Sequence, residues 1–201
     1  MLACQTNLST GHHITERLKN FYSARARGGV GLIVIGFIFL FRYPEDENTL
    51  CLDDDSLVPE YRSLTEIIHG SGAKVIAQLG IEHLWKKGPA YPLEAVGPSN
   101  VTVSRHYPVV RSLQVEEIQQ IEDEIVAGIV RARKANFDGV EIQAAQGLLL
   151  SQFLSPYTNR RTDQYGVSSL ENRTRILAEI FKKAGKSVGT DFTLTCKISG
   201  D

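Results

Sequence analysis

Hydrophobic positions along this 201-residue chain recur with two alternating periods, and that alternation is the first constraint on its fold. Thr15 to Arg27 places Leu18, Phe21 and Tyr22 on one helical face and stops at Gly28-Gly29. Leu32-Ile33-Val34-Ile35 follows as an apolar strand that Gly36 ends. Ser56 is placed to cap a second helix, Pro59 fits its first turn, and Leu64, Ile67 and Ile68 mark its buried side. Gly70 and Gly72 stop it, and Lys74 to Gly80 reads as the next strand. A proline-rich stretch from about Leu84 to Arg111 reads as loop. A third helix runs from Val115 to Ala135, with Ile118, Ile121, Ile125, Ile129 and Ala132 at steps of three and four. Val140 to Gln143 is a strand after a turn at Asn136 to Gly139. A fourth long helix starts near Ser168 or Ser169, where Ser168 and Glu171 match a capping box, and it carries Ile176, Leu177, Ile180 and Phe181. Phe192 to Ser199 is the last strand.

Strands separated by helices at crossover spacing predict a parallel sheet covered by helices. A doubly wound sheet and a (β/α)8 barrel both fit that order. The side-chain alternation decides between them. On the last strand Phe192, Leu194, Cys196 and Ile198 form an apolar set, and Thr193, Thr195 and Lys197 form the other. Gly139, Glu141 and Gln143 form the second set on the strand before, and Gln78 belongs to it on 74–80. Polar residues on an interior set near C-terminal strand ends predict a TIM (β/α)8-type barrel. A full barrel needs roughly 250 residues. The expectation is therefore an incomplete one of about five strands and four main helices. It is read as a single domain over 1–201, truncated at its C-terminus.

Composition narrows the class further. Twenty-two Lys+Arg against 23 Asp+Glu give a net charge of −1, which removes the electrostatic case for nucleic acid. Hydrophobic residues at 42% are enough for a packed core. The apolar run Val30 to Phe41 is too short to cross a bilayer, so no membrane partner is expected. Cys4, Cys51 and Cys196 are odd in number and widely spaced, which favours a reducing, cytoplasmic setting and no metal site. Cys4 itself reads as a small packing residue. The run Asn159 to Asp163 reads as a structural loop in which arginines pair with carboxylates.

From Phe137 the chain reads FDGVEIQAAQGLLLSQFLSPYTNRRTDQYG, and SLENR follows at 169–173. Collinear with these are TNLS at 6–9, RARGGVGLIV at 25–34, GAKVIAQL at 72–79 and GPSNV at 97–101. The string Gln152 to Gly166 resembles the old yellow enzyme family of FMN-dependent NADH:flavin oxidoreductases, which includes bacterial 2,4-dienoyl-CoA reductases. The resemblance implies a barrel with FMN across the C-terminal strand ends and NADH or NADPH as reductant. Its substrate would be a small molecule, an unsaturated carbonyl or related acceptor. By motif, Cys4 and Gln5 fall where the first strand meets the flavin edge, and Gly36 lies near the cofactor. Gln78 matches the glutamine that bonds the pyrimidine part of the ring. Lys197 stands where the family usually has an arginine beside flavin N1 and O2, a fixed positive charge that suits the reduced ring.

Four further positions depart from the family pattern. Gln143 and Gln146 replace the histidine and the histidine or asparagine that hold the substrate oxygen, and are the candidate substrate-orienting pair. Leu148 stands where a tyrosine commonly supplies the proton, so an acid would have to come from Tyr107, His83 or water. Phe37 stands where relatives often have a small residue. The alternative is a catalytically silent partial barrel that does not retain FMN. Its exposed last strand would favour association with a second copy.

Overall fold

A computed structural model describes residues 1–42, 47–82, 84–86, 93–101 and 110–200, with 84–86 and 93 described through their backbone. The chain forms two compact units, one of Met1–Gly80, Glu124–Ile142 and Ala184–Cys196, the other of Ile81–Asp123, Gln143–Lys183 and Lys197–Asp201. Helix α1 (Glu16–Arg27) begins at Thr15, whose hydroxyl accepts from the Leu18 N–H at 3.2 Å. Strand β1 (Leu32–Phe39) follows, then the two-residue β2 (Leu50–Cys51) and helix α2 (Val58–His69). Strand β3 (Lys74–Gly80) has the predicted bounds. The stretch read as loop contains β4 (Leu84–Lys86), β5 (Leu93–Gly97) and β6 (Arg111–Ser112), a small three-stranded sheet in its own right. Helix α3 (Val115–Lys134), strand β7 (Gly139–Ala144), a short α4 (Leu149–Leu154), helix α5 (Leu170–Val188) and strand β8 (Thr193–Ile198) complete the order.

The main sheet has the order β2-β1-β3-β7-β8, and β1 with β2, β1 with β3 and β3 with β7 pair in parallel. Its strands are separated by helices, as the alternating periods predict. In the first unit the buried core comprises Ile33, Ile35 and Ile38 of β1, Val75, Ala77 and Leu79 of β3, and Val140 and Ile142 of β7. Leu18 and Tyr22 of α1, Leu64 and Ile68 of α2, and Ile125, Ile129 and Ala132 of α3 are buried with them. Gly139 lets β7 and β8 close up, since a Cβ there would lie 2.5 Å from the Thr193 carbonyl oxygen.

Three local readings are corrected. β1 does not end at Gly36 but runs on to Phe39, because the apolar run continues and the chain absorbs one extra residue between Ile35 and Ile38. Ser56 is not the cap before α2. Asp54 accepts the Ser56 N–H at 2.8 Å and starts a short 3-10 turn (Asp55–Leu57), with Pro59 in the first turn of α2. At α5 the hydroxyl of Ser169, not a Ser168–Glu171 pair, receives a helix N–H, that of Asn172 at 3.1 Å.

Asp138, just before β7, fixes the sheet register. Its N–H donates to Val75 O at 2.8 Å and its carbonyl accepts from Thr193 at 3.3 Å. Its carboxylate accepts from the Val75 N–H at 2.9 Å, from Lys74 Nζ at 2.7 Å and lies 2.7 Å from His69 Nε2. Burial alone would raise the Asp138 pKa, but these donors outweigh it and hold the carboxyl below its ordinary value.

The second unit has a buried polar cluster. Glu122 is fully buried, and its carboxylate lies 3.3 Å from the Tyr165 hydroxyl and 2.9 Å from Lys183 Nζ. Tyr165 also donates to Glu179 at 2.7 Å, and Lys183 also pairs with Asp123 at 2.7 Å. Burial, and then the Glu179 carboxylate, push Glu122 up to about 7 against the opposing pull of Lys183. The run Asn159 to Asp163 is structural, as read. Arg161 pairs with Asp163 at 2.6 Å and donates to the Pro98 and Leu113 carbonyls, while Asn159 donates to Phe153 O and Tyr165 O.

Two stability predictions follow from opposite pKa shifts. Asp138→Asn should cost about 1–3 kcal/mol near neutral pH in chemical denaturation. Because the native Asp138 pKa is depressed, that contribution is present above the unfolded value near 4 and disappears as pH falls through the native one, so the difference from wild type should shrink in acid. Glu122 has a raised native pKa, so its neutral form stabilises the fold below about 4.5 and that benefit is lost as pH rises towards about 7. Glu122→Gln should therefore melt higher than wild type at pH 8 and alike at pH 4.5 in thermal denaturation.

Candidate functional site

The bulge in β1 organises the first half of the predicted site. Ile35 pairs with Ala77 and Ile38 with Leu79, so Gly36 and Phe37 bulge opposite Gln78. Gly36 meets Gln78 so closely that a Cβ on it would lie 2.6 Å from Gln78 Cβ. On the other side the backbone of Cys4 bridges Gly36. Cys4, Gly36 and Gln78 thus line up towards the C-terminal ends of neighbouring strands, where parallel α/β folds place ligands. Cys4 is exposed, which corrects its reading as a packing residue, and Gln5 is exposed beside it. Beneath Gly36 the Tyr22 hydroxyl is buried, and that burial raises its pKa. Phe37 is half-buried and turns its ring edge-on to Phe39 at 4.6 Å, packing within its own strand.

Gln78 is 3% exposed and its Nε2 donates to Glu141 Oε1 at 2.6 Å, a bond set by the register Gln78↔Glu141. A carboxylate only accepts, so this bond fixes the amide with Nε2 towards Glu141 and leaves Oε1 as an acceptor. Glu141 was legible as an interior-set residue, but its pairing with Gln78 was not. Partial burial, and then the Glu141 charge, push the Cys196 thiol up, so it is not an activated thiolate.

The other predicted residues fall in the second unit. Lys197 is half-buried on β8 and has no ion pair among the described residues. Gln143 is 2% exposed and its Nε2 donates to Gln146 Oε1 at 2.9 Å. Gln146 is exposed on a left-handed turn at φ 62°, and its N–H donates to Ser199 Oγ at 3.3 Å. Tyr107 and His83, the alternative acids, lie outside the described residues. A cavity of about 630 Å³ beyond the end of β7 is lined by Ala144, Gly147, Ser151, Tyr157, Arg173 and Ser199 among others. No spacing in the sequence marks it, because its wall is the short α4, whose six residues are too few to show a helical period.

The model of the NADH:flavin oxidoreductase / NADH oxidase family matches residues 2–201. The chain belongs to this family. It is 39% identical to an NADH oxidase from Thermoanaerobacter brockii over 94% of its own length and 29% of that protein. It is 36% identical to an NADPH dehydrogenase from Listeria welshimeri over 80% of its length and 47% of that enzyme. Among solved structures, the old yellow enzyme homologue from Zymomonas mobilis superposes with a TM-score of 0.81 at 27% identity, over 98% of this chain and 58% of that one. The chain thus spans between about three-tenths and six-tenths of these relatives. Old yellow enzymes are TIM barrels, so the expected fold class holds, with five strands of the main sheet and four main helices present here. In this family member no described helix is long and apolar enough to cross a membrane.

The close approach at the bulge gives a direct test. Gly36→Ala should destabilise the protein by about 1–3 kcal/mol through overpacking against Gln78, read as a lower denaturation midpoint. Ala substitution at the solvent-exposed Arg27 should leave the midpoint within about 0.5 kcal/mol of wild type.

Proposed function

We propose that this chain carries the flavin-side half of an FMN-dependent oxidoreductase that uses NADH or NADPH to reduce an unsaturated carbonyl-type or related small molecule. The observation that carries the reading is the alignment of Cys4, Gly36 and Gln78, with a bare α-carbon against Gln78 and an amide oxygen held ready to accept. That pattern fits a flat heterocycle. Gln78 Oε1 would accept a ring N–H, and Gly36 would let Gln78 sit close enough against β1 to hold its amide at that edge. The Cys4 and Gln5 backbone would border the ring edge. Lys197 would place a cation near the ring locus that becomes negative on reduction. When bound, FMN would supply hydride transfer between reductant and acceptor. On the substrate side Gln143 and Gln146 would orient the acceptor, and Leu148 has no proton to give.

The relatives support oxidoreductase chemistry with a nicotinamide partner, as the names NADH oxidase and NADPH dehydrogenase say of those proteins. A second reading draws on β8. It stands last in the sheet order, its Ile198 is 60% exposed and its Cys196 is exposed. A strand of that kind favours pairing with a second copy, and a chain occupied in that way would be a silent partial barrel.

Incubation with FMN followed by desalting separates the two. Retained flavin absorbance that bleaches on addition of NADH or NADPH is the expected result. Gln78→Leu and Lys197→Met should each weaken FMN retention by roughly tenfold or more, with Lys197→Arg close to wild type. A colourless protein that elutes as a dimer or larger would sink the oxidoreductase reading and leave the second.

A further inference from the structure

The cavity of about 630 Å³ beyond the end of β7 takes no part in the proposed function. Neither the residues assigned to the flavin nor the Gln143–Gln146 pair line it, and Gln143 Oε1, buried with no hydrogen bond among the described residues, is not part of its wall. Its charge comes from Arg173, the arginine that closes the SLENR string in the first turn of α5. Arg173 is half-buried, its Nη1 donates to the Leu154 carbonyl at 3.3 Å, and it has no ion pair among the described residues. The nearby Glu171 and Glu179 carboxylates are taken by Arg175 instead. No acidic side chain stands among the described lining residues, so most of the Arg173 guanidinium fork is unspent. Two hydroxyls share that polarity. Ser155 Oγ accepts from the Tyr157 N–H at 3.2 Å and Ser199 Oγ from the Gln146 N–H at 3.3 Å, and neither hydroxyl donates to an acceptor among the described residues. Leu154, Pro156 and the exposed Tyr157 add apolar wall.

We propose that this cavity is a binding site for a small organic oxyanion, a carboxylate or phosphate carried on an apolar or aromatic body. Arg173 is its charge partner, and Ser155 and Ser199 are auxiliary donors. The polarity of the unspent groups carries the inference, because all of them are donors and the one charge is positive. A partly desolvated cation without a counter-charge is costly, and an oxyanion offsets that cost through charge-assisted hydrogen bonds. A planar guanidinium matches two oxygens of a carboxylate or phosphate at once. A neutral ligand of the same shape gains only the apolar wall. The inference stands apart from the oxidoreductase reading, since it uses none of the residues assigned to FMN or to the acceptor.

The test is titration of the full chain with small probes, followed by ligand-observed NMR. Benzoate and phenyl phosphate are compared with benzyl alcohol, which keeps the ring and carries no charge. At least one of the two anions should bind about tenfold or more tighter than benzyl alcohol, and the tighter one names the oxyanion. Arg173→Leu should abolish that preference while keeping a native circular dichroism spectrum. An arginine that only ties α5 to the end of α4 through Leu154 would behave differently: Arg173→Leu would lower the thermal midpoint and leave the preference intact, which would overturn the proposal. Should Arg173→Leu unfold, the double variant Ser155→Ala/Ser199→Ala decides, because it leaves Arg173 in place. There the anion should weaken by roughly threefold or more with benzyl alcohol unchanged, and an unchanged anion affinity would sink the inference. Equal affinities for anions and alcohol, or no binding by either anion, would sink it too. Added FMN should leave the bound anion in place. Displacement by FMN would assign the cavity to the flavin and remove the case for a separate site.

Discussion

The carboxylate and backbone of Asp138 hold three strands in register. It receives donors from β3 and from the end of α2, and its own backbone pairs with β3 on one side and with the start of β8 on the other. In a parallel sheet a slip of one residue turns every side chain to the opposite face. Fixing Asp138 against Val75 therefore fixes Gly139 against Ile76 and Glu141 against Gln78 further along the same ladder. The bond that orients the Gln78 amide at the C-terminal end is thus a consequence of an ion and hydrogen-bond cluster at the N-terminal end. Such a division is the one expected of barrel folds, with stability at the bottom of the strands and chemistry at the top.

The second unit depends on polar groups in a different way. Glu122, Tyr165, Glu179 and Lys183 bring two helices and the long loop before α5 to one buried point. Two carboxylates share a phenol and an ammonium there, and burial pushes Glu122 towards its neutral form. Arg161 spends its guanidinium on backbone carbonyls and Asp163. The loop that carries the family's most recognisable string is therefore a scaffold, and its specificity in sequence reflects hydrogen-bond geometry more than chemistry.

Helices and central strands were legible because burial imposes a period, and Ile118, Ile121, Ile125, Ile129 and Ala132 are all buried as the spacing predicts. β5 was hidden because five residues between Pro92 and Pro98 are too few to show alternation, and β6 because it has only two, which pairing with β5 defines. The true end of β1 was hidden by Gly36, which as a residue signals a stop and in the fold makes a bulge. At the site, the AQL motif pointed to Gln78, but its partner Glu141 emerges only from register. The unmet oxygen of Gln143 has no sequence signal at all, since a glutamine reads the same whether its edge is completed or half empty.

Gln78 and Gln143 are both buried glutamines whose nitrogen is committed and whose oxygen is left over, yet they differ in what holds them. Gln78 is oriented by a carboxylate, which cannot donate, so its polarity is fixed in one sense. Gln143 is oriented by another amide, which can turn over or leave. A fixed acceptor suits a ligand that stays, and a reversible amide pair suits one that comes and goes. That difference in partner, a charged strand residue against an exposed turn residue, is the physical reason the first amide is held in one sense and the second is not.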